Sequence, residues 1–527
     1  MTTSLLRTIA RPVSFAVMCG LVLASAGHGL AARQTAEPVD PAAIARIRDE
    51  ALNRSQVGAL FSMLTDGIGP RLTGSPEHKR AAEWARDTMT KWGLANPRLE
   101  AWEFGRGWTL DKFTIEMIEP RYMPLLGYPE AWSPSTAGEV AVSVVSVIGK
   151  TADDVAAMSA QLKGAALLQA AAVTNFIATD RVQPALQPDA PVIQPGQPGA
   201  AEGRQGAAGG RQGGARGNQA AGRGAVGGAQ TVAQAMAASG AAVLIKPSRG
   251  MHGTVFVQAG RDNPANALPM VVLAGEHYNM IARMIERKIP VKLRVNVQAR
   301  FLEQDRNSYN VLAELPGTDP ALRNQVVMLG AHLDSWHTGT GATDNADGSA
   351  VVMEAFRILK ATGLTTKRTL RLALWSGEEQ GLLGARAYVR AHLAGDANKA
   401  ARDAMAVYFN IDPGKGPIYG WYLENNDAVK PIFDAWLAPF QDKASGALKN
   451  VRQGITNTDH LAFIDTGVPG FNPIQDYVDY DVREHHTNAD TVERIKESDL
   501  RQNAMILAAF VYHAAMRAEM LPSPVRK

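Results

Sequence analysis

The sequence predicts an α/β fold, a layered sandwich of strands and helices, with a separate β-rich module set into it. Three observations lead there. From about residue 310 onward, short apolar runs rich in β-branched side chains alternate with amphipathic helical stretches over roughly 200 residues. Between about 110 and 300 the apolar period shifts towards two, the signature of half-buried strands. Histidines and carboxylates fall at the ends of the later apolar runs, where open α/β sheets keep their sites. At 527 residues and 46% hydrophobic side chains, the chain exceeds a single core, so more than one domain is expected.

The chain opens as a leader. Arg7 and Arg11 precede an apolar run from Val13 to Ala24, and Ala24-Ser25-Ala26 has the small-x-small form of a cleavage site; Leu30-Ala31-Ala32 is a second candidate. Residues 1–32 are therefore expected to be a signal peptide and the mature protein secreted or periplasmic. An uncleaved anchor is the competing reading, for which the run is short. Cys19 is the one cysteine and lies inside this run, too early for lipid attachment at its end. With the leader removed, disulfides and cysteine-based catalysis or metal sites are excluded. The formal charge is +3 and falls closer to neutral without the two leader arginines, giving no argument for nucleic acid or an anionic membrane as partner.

Residues 33–109 read as mainly helical. Ser75-Pro76 starts a helix whose face carries Ala81, Ala82, Trp84, Ala85, Met89 and Trp92, and Gly93 ends it. Ahead of it stands a turn-rich loop, Gly69-Pro70-Arg71-Leu72-Thr73-Gly74. Residues 110–300 read as an inserted β-rich domain. Val140, Val142 and Val144 alternate, and Gly164–Ala170, Ala241–Ile245, Pro269–Leu273 and Val291–Val297 are further strand candidates. Within this module, residues 184–230 collapse to Gly, Ala, Gln, Pro and Arg. That composition lacks the apolar surface to offset its ordering entropy and is expected to be disordered.

Residues 301–527 carry the chemistry. Gln325–Leu329 is a buried strand running into Gly330-Ala331-His332-Leu333-Asp334-Ser335-Trp336, then Gly341-Ala342-Thr343-Asp344-Asn345 and a helix with Val351, Val352, Ala355, Ile358 and Leu359 on one face. Thr369–Trp375 alternates as a strand and meets Ser376-Gly377-Glu378-Glu379-Gln380-Gly381. Ala404–Ile411 is a strand ending at Asp412-Pro413-Gly414, and Glu484-His485-His486-Thr487 follows near the C-terminus. Asn426–Leu437 and Ser498–Met520 read as amphipathic helices. Each polar group has a plain alternative: a hydrogen-bonded loop histidine, turn-forming aspartates, glutamates opposing a helix dipole, a surface His-His pair. Their convergence argues otherwise, because two imidazoles and three carboxylates are what a pair of divalent ions requires.

These motifs resemble peptidase family M28, the co-catalytic zinc exopeptidases. Gly330–Trp336, Gly341–Asp344, Arg368–Trp375 and Glu378–Gly381 carry the resemblance. So do Thr458-Asp459-His460, Gly467–Gly470, His485-His486-Thr487, Glu519–Pro522 and Gly69–Gly74. It implies a three-layer αβα sandwich with a mixed central sheet and an inserted domain of protease-associated type. It implies two Zn²⁺ per chain, with His332 a ligand of one ion, Asp344 bridging both, Glu379 on one side and Asp412 on the other, and His486 completing the pair of sites. His486 is preferred over His485 because it directly precedes the Thr of the family's His-Thr-x-x-Asp-Thr run. Asp334 would orient His332, and Glu378 would act as general base on a metal-bridging water. Asn345 departs from the Asp that many members carry, and a cis peptide often follows the bridging Asp.

The implied activity is hydrolysis of dipeptides or short peptides with free termini, of carboxypeptidase or dipeptidase type. An aminopeptidase of the same family, a glutaminyl-cyclase-type acyltransferase and a non-catalytic binding protein are the alternatives. A short peptide is the expected partner, with no nucleic acid, no membrane after leader cleavage, and a homodimer by resemblance.

Overall fold

The computed structural model describes residues 37–182, 184, 231–258, 260–261, 267–441 and 449–523. The leader, and all of the 184–230 stretch except Pro184, lie outside these residues. The two sheets found among the described residues belong to the unit that begins at Pro38.

Seven strands form a mixed sheet in the order Ala95–Glu103, Asn307–Leu315, Thr369–Trp375, Val326–His332, Met405–Asn410, Gly470–Asp476, Lys415–Tyr422. Its middle four strands are parallel, and the remaining pairings are antiparallel. Register aligns their carboxyl ends: His332 lies opposite Trp375, and Gly330 opposite Asn410. The polar loops that follow these strands therefore start side by side.

Strand alternation splits the sheet into two buried faces. Val327, Leu329 and Ala331 pack with helices Pro41–Asn53, Asp347–Thr362 and Glu497–Met516. Val326 and Met328 point the other way, against Ala385, Tyr388 and Val389 of helix Leu383–His392 and Phe463 of helix His460–Ile464. Helices thus cover both faces of a mixed sheet, as the α/β reading requires. The helix expected after Ser75 is present as Pro76–Lys91, with the Ser75 side chain accepting from the His78 amide. The residues near 41–95 cover this main sheet and supply its edge strand, Ala95–Glu103. Two expected helices are shorter than their apolar patterns. Glu497–Met516 stops where Arg517 turns extended, and 426–437 begins as a tight turn and becomes α-helical only at Lys430.

A second sheet has eight strands in the order Met123–Pro124, Gly107–Glu119, Lys292–Leu302, Val140–Ser146, Ala166–Leu168, Val243–Pro247, Met270–Leu273, Gly127–Pro129. It has apolar clusters of its own, one centred on Val142, Ile245, Leu293 and Val295, the other on Val155, Leu162 and Leu167. Helix Gly275–Glu286 packs Tyr278 and Ile281 into the first of these. Among the described residues no helix is long and apolar enough to cross a membrane.

Candidate metal centre

His332 is the last residue of a fully buried strand, so its ring leaves the sheet at the carboxyl end. Asp412 follows the neighbouring strand Met405–Asn410, and Glu378 and Glu379 follow strand Thr369–Trp375 on the other side. The two glutamates sit in a tight turn, four and five residues ahead of the helix that begins at Leu383, and not in its first turn. Asp344 lies in the loop before helix Asp347–Thr362, with extended backbone and a cis peptide to Asn345.

The fold brings all five candidate donors together. His332 Nε2 stands 3.2 Å from Asp344 Oδ1 and 3.6 Å from Asp412 Oδ1. His486 Nε2 stands 3.3 Å from Asp344 Oδ2 and 2.7 Å from Glu379 Oε2. Asp344 therefore turns one oxygen to each imidazole. His485 Nε2 is farther, 4.0 Å from Asp344 Oδ2, and its ring stacks on His486 with centroids 3.7 Å apart.

Electrostatics match the geometry. Burial opposes charge on every group here, yet His486 is pushed up to about 10 by Glu379 and Asp344. His332 is likewise raised, against its burial, by Asp412, Asp334 and Asp344. Burial and the neighbouring His486 push His485 down to about 3, which leaves it neutral. Glu378 is raised well above the carboxylate range by burial, with the charges of Asp412, Asp459 and Glu379 adding to it and His332 opposing. Glu379 rises to about 7 through burial and Asp344.

Several donor atoms at this point have no hydrogen-bond partner although they are buried: His332 Nε2, Asp344 Oδ2 and Glu379 Oε1. Buried polar atoms are ordinarily satisfied. A set of nitrogen and oxygen donors converging with unfilled lone pairs is what a divalent cation completes, so the residues fit a divalent metal.

The surroundings hold the donors in place. His332 Nδ1 is 2.9 Å from the Asp334 carbonyl, while the Asp334 carboxylate is 3.7 Å away. The main chain of Asp334 thus orients His332. Its carboxylate instead accepts from Thr73 Oγ1 at 2.8 Å and from the Glu378 and Glu379 amides at 3.3 Å each, so it fixes the turn carrying both glutamates. Trp336 Nε1 donates to Glu379 Oε2 at 2.7 Å. Asp490 Oδ1 accepts from the Thr343 amide and hydroxyl, and its Oδ2 from the Asp344 amide.

Sequence reasoning assigned no role to Arg71, Thr73, Trp336, Asp490 or Gln258. Arg71 is fully buried and donates to the carbonyls of Leu64, Gly69, Leu333, Thr340 and Gly341. It ties the Gly69–Gly74 loop to both ends of the His332–Asp344 loop. The one available signal was the crowding of Gly, Pro and Thr around an arginine in a stretch already singled out. Gln258 Oε1 lies 2.6 Å from His486 Nδ1 and had no sequence signal at all.

Known proteins resemble this chain in both sequence and fold. The profile of peptidase family M28 matches residues 310–511, the segment that contains all five donors and Glu378. Carboxypeptidase Q of Bos taurus is 26% identical over 468 residues, covering 88% of this chain and 86% of that one. The crystal structure of a Peptidase M28 precursor from Shewanella amazonensis superposes with a TM-score of 0.64 at 24% identity, covering 92% of this chain and 98% of that one. A zinc aminopeptidase from Bacillus subtilis superposes at 0.56 and 18% identity, covering 89% and 97%. The donors lie inside the matched segment, and the likeness extends over both sheets. Residues 310–511 match peptidase family M28, and the chain is a metallo-exopeptidase.

Proposed function

We propose that this chain is a secreted di-zinc exopeptidase that cleaves dipeptides or short peptides with free ends, of carboxypeptidase or dipeptidase type. The observation that carries it is the single carboxylate, Asp344, serving two donor sets: His332 with Asp412, and His486 with Glu379. Zinc is the ion of choice, since the donors are imidazole and carboxylate and no cysteine lies beyond Cys19. When bound there, zinc would polarise the scissile carbonyl and make an attacking water more acidic.

The remaining work falls to the chain. Glu378 is the general base: it stands beside Glu379 on the turn held by the Asp334 carboxylate, and it takes a proton from the attacking water and hands it to the leaving amine. The Asp334 carboxylate keeps Glu378 and Glu379 in register through their amides, so adjacent glutamates serve different ends. We read the second sheet as the inserted protease-associated-type domain, residues 110–300. Its approach to the His486 loop supports a site restricted to short substrates. Export through residues 1–32 belongs to the same reading.

An aminopeptidase is the second reading, supported by a relative in Pseudomonas aeruginosa, an aminopeptidase 29% identical over 189 residues. A panel of dipeptides blocked at one end or the other separates the two readings. The metal reading has its own test in the glutamate pair. Glu378→Gln should keep both ions and lose turnover by about 10²–10⁴-fold. Glu379→Gln should lose metal and recover part of its activity in excess zinc. Loss of metal from the first variant with both ions kept by the second would reverse the roles. Full activity after exhaustive chelation would remove the metal from the mechanism.

A further inference from the structure

Gln258 belongs to the segment between strands Val243–Pro247 and Met270–Leu273 of the second sheet. This segment reaches across to the loop that carries His486. Phe256 pairs with Thr487 in an antiparallel bridge. The Val257 amide donates to the His486 carbonyl at 3.2 Å, and the Val255 amide to Asn488 Oδ1 at 2.7 Å. Gln258 Oε1 then lies 2.6 Å from His486 Nδ1. The opposite ring nitrogen, Nε2, is the one aimed at Glu379 and Asp344.

His486 also has a φ of 62°, a left-handed backbone that disfavours a side chain and persists only where its surroundings hold it. Here the bridge and the Val257 amide hold it from one side. A neutral imidazole can offer a lone pair at Nε2 only if its proton is on Nδ1, and the partner at Nδ1 sets which tautomer is present. A carboxamide oxygen is such a partner.

We propose that Gln258 is a positioning residue of the metal centre, supplied by the second sheet, which fixes the tautomer and aim of His486. His332 finds the equivalent partner two residues along its own loop, in the Asp334 carbonyl. His486 finds its partner 228 residues away. Seating of the second sheet therefore sets how firmly the His486 side of the centre holds its ion. This rests on His486 being a metal donor.

The test uses the full chain loaded with zinc, challenged with graded chelator, with metal counted per chain. Gln258→Ala should give up its weaker ion at about 10–100-fold lower chelator than the parent. Its metal-free melting midpoint should not move, because the side chain is exposed. Gln258→Glu keeps an acceptor at Nδ1 and should restore retention. His486→Ala should lose one ion outright. If His486→Ala keeps both ions, the metal reading of the site fails. If it loses one while Gln258→Ala binds like the parent, this inference alone fails. A Gln258→Ala defect that Gln258→Glu does not repair also overturns it, since the role would then be packing and not acceptance of the Nδ1 proton.

Discussion

Replacing Arg71 by Met keeps the length of the side chain and removes its donors. Five carbonyls then lose a partner. Leu64 and Gly341 keep another donor, from the Gly69 and Ala346 amides. Leu333, Gly69 and Thr340 are left without one among the described residues. At about 1–3 kcal/mol for each of the two buried carbonyls and less for half-buried Thr340, the loss is roughly 3–7 kcal/mol. Relief of a buried charge offsets part of it, since burial pulls the Arg71 guanidinium down to about 10. A net loss of ~3–5 kcal/mol is expected, a large share of the roughly 5–15 kcal/mol that holds a domain. The assay is urea unfolding of the metal-free and zinc-loaded chain, with zinc retention measured in parallel. Arg71→Met should unfold at lower urea and also hold zinc more weakly, because the freed carbonyls flank His332 and Asp344. Arg71→Lys, with fewer donors, should fall between. A Met variant within ~1 kcal/mol of the parent that keeps its zinc would refute this account.

Thr73→Val keeps the shape of the side chain but drops its donation to Asp334 and its acceptance from the Gly377 amide. Turnover should fall about 10-fold or more with zinc content unchanged, as shown by steady-state kinetics beside metal analysis. Asp490→Asn keeps one acceptor for Thr343 and loses the one for the Asp344 amide; zinc retention against chelator should weaken by roughly 10-fold. Burial works against ionised Asp481, but its paired contacts with Arg181 override this and hold its carboxyl below the usual range. Stability from this pair is therefore present above pH ~4 and lost as pH falls through the lowered value. Because Arg181 is partly exposed, Asp481→Asn should cost only about 1 kcal/mol at neutral pH, and melting curves should converge with the parent's in acid.

The parallel core of the main sheet was legible because buried strands such as Val326–His332 and Met405–Asn410 are almost unbroken apolar runs. Of the candidate metal donors, His332, Glu379 and Asp412 stand at or just after such runs, whereas Asp344 and His486 lie in longer loops and were singled out by the family resemblance. Two other strands were not legible. Ala95–Glu103 is half-exposed along its length and mixes Asn, Arg and Glu with its apolar residues. Gly470–Asp476 is buried but contains Asn472 and Pro473, whose polar and ring groups read as a turn until Asn410 and the Asp412 carbonyl appear as partners. Arg71 reads in isolation as a surface charge. Only the fold supplies the carbonyls that surround it. Gln258 was illegible for a simpler reason, that no local pattern records a contact made across more than two hundred residues.

The main layer is built from both flanks of the second sheet, and this has a consequence for synthesis. Helix Pro41–Asn53 buries Ile44 and Ile47 against a cluster completed by Val351, Phe356 and Phe510. The first helices therefore emerge with a bare apolar face and no surface to cover it until some 300 further residues exist. At about 5–20 residues per second, that is roughly 15–60 s of exposure for each nascent chain. The amino-terminal part is thus a natural client for a holding chaperone. A chain stalled or truncated after the second sheet would carry that face indefinitely, so aggregation of such fragments should begin at their amino-terminal helices.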